Sequence, residues 1–242
     1  MDNSDIADRL VDSLGLDAPL VALAFVDAAP AGCAVDTVPA PSACSFWRRA
    51  EQGLFFAPAA SHFNCPVGAM VMGFDLPQPV SAELQNLVGM MTECGYIAPD
   101  EPGSIPVRAA AAAGAPAPGG ILYGPLADFP IAPDAVLAWL TPAQAMLWSE
   151  AAGSSVWGSA APAIVTGRPA CAAIPKSLAE SRSALSLGCA GMRTFTGIAD
   201  RYLLAVQPGS GLAAFAEALA GMRGTNDRME AFYADRLAAV AG

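Results

Sequence analysis

Two short apolar runs set the scale of what this chain can fold into. PLVALAFV (Pro19–Val26) and DAVLAWL (Asp134–Leu140) have the length of a buried strand, and each stands between turn-forming residues. No window reaches the roughly 18 uninterrupted apolar residues of a membrane-spanning helix. The runs therefore predict a sheet buried inside a globular protein. Helix signals alternate with them. Ser4 is a cap candidate for a helix over residues 4–16, stopped by Gly15. CSFWRRAEQG predicts a helix from Ser42 to Gly53, and GLFFAPA a strand. SAELQNLVGMM predicts a helix capped by Ser81, and Thr141 with Pro142 opens one that closes at Gly153. APAIVTG reads as a further strand, and 211–222 and 226–240 as two last helices. The class expected is α/β or α+β.

The runs also head a loose repeat. After each comes a spaced pair of cysteines, Cys44 and Cys65, then Cys171 and Cys189, with 20 and 17 residues between partners. Corresponding cysteines lie 127 and 124 positions apart. The low-complexity stretch AAAAGAPAPGG has no large side chain to pack and marks a linker. The expected organisation is a half-repeat over residues 1–109, a linker over 110–120 and a second half-repeat over 121–242. The halves should be pseudo-symmetric, each a small sheet with flanking helices, packed as one unit.

Composition narrows the function classes. Only 12 Lys and Arg stand against 22 Asp and Glu, a net charge of −10, so a nucleic-acid backbone or anionic membrane surface is a poor partner. With 54% hydrophobic and 14% charged residues the chain is not disordered, and its apolar excess calls for a large core or a homo-oligomer interface. The acidic start MDNSDIADRL is unlike a signal peptide, so a cytoplasmic location is expected. Six cysteines there read as core thiols, metal ligands or catalytic thiols before disulfides.

Four thiols brought together suit a soft or borderline metal, with iron–sulfur and zinc as the two choices. The tight C-x₂₋₄-C knuckles of zinc sites are absent. Single cysteines beside glycine, as in CPVG and CAG, favour a cluster, [4Fe–4S] first, because backbone N–H groups can then approach its sulfurs. The cofactor site expected is Cys44, Cys65, Cys171 and Cys189, joined by Arg193 as an offset to cluster charge and by His62, the only histidine. The function expected is electron transfer or small-molecule redox chemistry with a small molecule or a redox partner protein. Two rivals stay open: a cofactor-free small-ligand or tetrapyrrole-binding module lined by Trp and Met, and a thiol-dependent enzyme using Cys65 or Cys189 with His62 as base. Arg168 is a second candidate anion holder, whereas Cys33 and Cys94 read as filler.

The motifs APLVALAF, ACSFWRRAEQG, HFNCPVGAMVMGF, YGPLADFPIAPDAVLAWLTPAQAMLW, GRPACAAIP and LGCAGMR together resemble the DUF169 family of uncharacterised proteins, over most of the chain. The cysteine motifs are the most specific part. Family members often carry a lysine near the end of the first strand, where this chain has Ala24 or Phe25. The resemblance implies which residues matter more than it implies what they do.

Overall fold

The structure, a computed structural model, describes residues 1–100, 103, 105, 107–108, 117–153 and 164–241. Among them are eight α-helices and a seven-stranded sheet, a mixed α/β arrangement as expected. The strands are β1 (Val21–Val26), β2 (Phe55–Pro58), β3 (Gly120–Pro125), β4 (Ala135–Leu140), β5 (Ile164–Thr166), β6 (Ala184–Ser186) and β7 (Leu203–Pro208), in the order β2-β3-β1-β4-β7-β6-β5. The two predicted runs, β1 and β4, pair antiparallel at the centre, with Val21 opposite Leu137 and Leu23 opposite Ala135.

From that central pair each flank follows the same path. β1 is bonded to β3 and β3 to β2, all antiparallel, and β4 to β7 and β7 to β6 likewise. On each flank the chain visits the outer strand before the inner one. The margins correspond too: β5 pairs parallel with β6, and Val35 makes a parallel bridge to Phe56 of β2.

Two separate small sheets are not what the structure has. β3, which follows the predicted linker, lies between β1 and β2, so a cut at 110–120 would split one flank of a single sheet. Of that linker, residues 110–116 lie outside the described residues. The strand was missed because GILYGP opens and closes on turn residues. Its glycines serve close approach: a Cβ on Gly120 would stand 2.3 Å from the Ala57 carbonyl oxygen.

Alternation along the strands divides the core into two. Leu20, Ala22, Ala24, Val136 and Leu140 face α1 (Asn3–Leu14), α5 (Pro142–Ala151) and α8 (Leu212–Ala241). Val21, Leu23, Tyr123, Leu137 and Trp139 face the cysteine-bearing side. That side carries α2 (Ser45–Ala50), α3 (Pro66–Val71), α6 (Ala173–Glu180) and α7 (Ala190–Thr196), with α4 (Gln78–Glu93) in contact with α3. Burying Leu10, Leu20 and Leu23 fully contributes about 1.5–3 kcal/mol each.

Caps account for several boundaries. Asp2, two residues earlier than expected, caps α1 in a capping box with Asp5, and Gly15 closes it in the left-handed conformation. Thr141 caps α5 as predicted, in a capping box with Gln144. The two predicted C-terminal helices are one helix of 30 residues. Thr225 and Asn226 bond back to the carbonyls of Gly221 and Met222 at 3.1 Å each, so neither caps a new helix. No helix among the described residues is long and apolar enough to cross a membrane.

The close contact at β3 yields a prediction. Gly120→Ala should destabilise the protein by about 1–3 kcal/mol, whereas Gly53→Ala, with open space around it, should stay within about 0.5 kcal/mol. Chemical denaturation of both variants checks this.

Candidate metal centre

The cysteine-bearing side of the sheet opens into a cleft of about 660 Å³. Cys44, Cys65, Cys171 and Cys189 all line it. Each stands where a turn leads into a helix: Cys44 just before α2, Cys65 just before Pro66 of α3, Cys171 in the 3₁₀ turn Ala170–Ala172 that precedes α6, and Cys189 just before α7. The Met192 N–H donates to the Cys189 sulfur at 3.4 Å. The flanks meet across the cleft, where the Ser45 hydroxyl of α2 donates to the Phe195 carbonyl of α7 at 3.5 Å.

Glycines make room for the sulfurs. A Cβ on Gly68 would lie 2.7 Å from the Ala43 Cβ and 3.0 Å from the Cys65 sulfur. Gly188, at φ +88°, takes the left-handed turn into Cys189, and a Cβ there would meet the Met192 methyl at 2.7 Å.

The Ser42 hydroxyl sits between two of the thiols, 2.8 Å from the Cys44 sulfur and 4.0 Å from that of Cys65. Burial pushes the Cys44 thiol up to about 12; the Ser42 hydrogen bond opposes this, and the like charges of Cys65 and Cys189 add to it. Burial likewise raises Cys171 well above the usual thiol range, reinforced by Cys65, Cys44 and Cys189. Cys44 and Cys171 thus lie near enough to the other cysteines of the site to feel their charge. Without a cation, Cys44 and Cys171 are protonated at neutral pH. Among the described residues no group of three or more His, Cys, Asp or Glu is arranged to hold a metal ion.

His62 does not line the cleft. Its ring is fully buried between Phe46 and Phe74, at centroid distances of 4.6 and 4.8 Å. Nδ1 lies 3.0 Å from the Pro58 carbonyl, which can only accept, so Nδ1 carries the proton. Nε2, 3.1 Å from the Tyr123 hydroxyl, is then the acceptor. Burial lowers its pKa to about 4, so the ring is neutral and both nitrogens are occupied. Cys65 touches His62 only through the backbone, its N–H donating to the His62 carbonyl at 3.0 Å.

Arg193 also turns away from the cleft. Its guanidinium donates to the carbonyls of Leu187, Tyr202 and Ala199 at 2.8, 3.2 and 3.4 Å and pairs with Asp200 at 3.5 Å. It ties down the loops on both sides of α7. Arg168 does line the cleft, its guanidinium 4.3 Å from the centroid of Tyr96. Trp47 and Trp148 are core residues, Trp157 lies outside the described residues, and Met90 and Met91 line the cleft.

Two cleft residues escaped the sequence reading. Cys94, taken as filler, is a fifth cysteine on the wall, and Ser42 touches the sulfurs. The only signal for Ser42 was its place two residues before Cys44; nothing local marked Cys94, which reaches the cleft because α4 folds over it.

The buried histidine makes acid stability testable. Its folded pKa of about 4 lies below the ordinary 6.5, so its neutral form stabilises the fold above pH 6.5. That stabilisation, about 3 kcal/mol, is lost as pH falls through 4. His62→Gln, which has no titrating ring, should lose much less stability across this window, as measured by denaturation at a series of pH values.

No curated protein and no solved structure matches the chain. The DUF169 family, described as Uncharacterised ArCR, matches residues 9–218 and so spans both flanks of the sheet and all four of these cysteines. The chain belongs to the DUF169 family.

Proposed function

We propose that Cys44, Cys65, Cys171 and Cys189 together hold an iron–sulfur cluster, [4Fe–4S] as the best fit, and that the protein uses it for electron transfer or small-molecule redox chemistry. The observation that carries this reading is the convergence of four thiols, two from each flank of the sheet, on one cleft. The donor set is all sulfur, the choice of soft metals and iron–sulfur clusters.

A single zinc ion is the weaker alternative. With bonds of about 2.3 Å it needs all four sulfurs around one point, whereas a four-iron cluster gives each thiolate an iron of its own. A cluster would supply one-electron chemistry. The chain's own contribution is to hold the four sulfurs in place, to direct the Met192 N–H at Cys189, and to shield Cys44 and Cys171 from water. A thiol enzyme with His62 as base has less to recommend it, since both ring nitrogens are already bonded.

Two predictions follow from the thiols. Protein purified without oxygen should be brown and carry about four irons and four sulfides per chain. Cys44→Ser and Cys171→Ser should each lose most of both while staying folded. Colourless wild-type protein with one zinc per chain would support the zinc site, and folded metal-free protein would overturn both readings. Because Cys44 and Cys171 must give up protons, reconstitution should weaken steeply between about pH 8.5 and 6.5, roughly tenfold per pH unit for each thiol ionised. A pH series of iron uptake reads this directly.

A further inference from the structure

We propose that the cleft under α4 is a binding pocket for an apolar organic anion, its carboxylate or similar oxyanion paired with Arg168 and its apolar body lying along α4 above the cysteines. This deepens the cluster reading by naming the substrate class of the same site, and only its redox role rests on that reading.

Size is the first argument. About 660 Å³ lies within the roughly 300–1,000 Å³ typical of small-molecule pockets. Four cysteines line one part of it, and a separate apolar wall remains.

That wall is α4. None of its 16 residues is fully buried, yet Leu84, Leu87, Val88 and Met91 are half-buried at the spacing of one helical face. Such a stripe normally packs on a core. Here Leu87, Val88, Met90 and Met91 face the cleft, and Phe195 lines it too. Methionine side chains adapt to irregular apolar shapes, which suits a ligand-facing wall.

Charge selects the ligand's polar end. Among the described residues lining the cleft only Arg168 and Glu83 carry full charges, and Arg168 makes no ion pair with a described residue. Its guanidinium stacks on Tyr96, whose hydroxyl accepts from the Ala190 N–H at 3.3 Å, so the donor fork has a fixed support. A guanidinium fork matches a carboxylate bidentately. Arg168 stands three residues before Cys171 and lines the same cleft, so an anion held there borders the thiols.

The test uses 2-naphthoate and its neutral counterpart naphthalene-2-carboxamide, titrated calorimetrically into the full chain purified without oxygen. Naphthoate should bind one to one, at least about tenfold more tightly than the amide. R168Q should abolish that preference and R168K should keep most of it. M91W, which fills the apolar wall, should weaken both probes. Equal affinities, no binding, or a preference that survives R168Q in folded protein would overturn the pocket. The same titration on metal-free protein separates the two proposals. Naphthoate binding to protein that never takes up iron leaves the pocket standing without the cluster. Brown protein that binds neither probe leaves the cluster without the pocket.

Discussion

The antiparallel pairing of β1 with β4 is the contact on which the rest depends. It covers three residue pairs, Val21 with Leu137, Ala22 with Val136 and Leu23 with Ala135. Ala22 and Ala135 are fully buried, and such small side chains let the strands pair while both faces are covered by helices. Because this pair joins two flanks of like path, the turns that follow corresponding strands come out on the same face. Cys44 and Cys65 from one flank therefore line the same cleft as Cys171 and Cys189 from the other.

Burial of the thiols has a consequence for how the site works. An environment dry enough to push Cys44 to about 12, and Cys171 well above the usual thiol range, holds these two thiols protonated and so unreactive. A bound metal reverses that preference, since a coordinated thiol is deprotonated outright. Under the proposed function, cofactor uptake would therefore release protons. Tyr123 belongs to the same dry layer: burial first, and then the charges of Cys171 and Cys44, hold its phenol well above its ordinary range. Its hydroxyl donates to the neutral His62, so the pair is buried without charge.

Much of this was legible in the sequence where local chemistry decides the outcome. β1, β2, β4 and β5 were visible as apolar runs, and α5 as a Thr-Pro start with a Gly stop. The matched spacing of two cysteine pairs pointed to a shared site. What escaped depended on distant partners. β3 is a strand because β1 and β2 flank it, not because GILYGP has strand character, so the boundary between flanks was drawn on the wrong side of it. β6 has three residues and was hidden for the same reason. His62 was placed by its nearness to Cys65 along the chain, but the 3₁₀ turn Ala59–His62 sends its ring into the aromatic core. Arg193 was read as an offset to cluster charge, and its partners proved to be backbone carbonyls that no sequence pattern marks.

The central claim is that one cluster is held jointly by both flanks. Mössbauer spectroscopy of protein loaded with iron-57 tests it most directly. The account predicts that essentially all bound iron gives the signature of one four-iron cluster, and that replacing either Cys65 or Cys189 by serine removes or alters that signature in folded protein. Iron present only as isolated ions, or a cluster signature indifferent to cysteines of one flank, would contradict it.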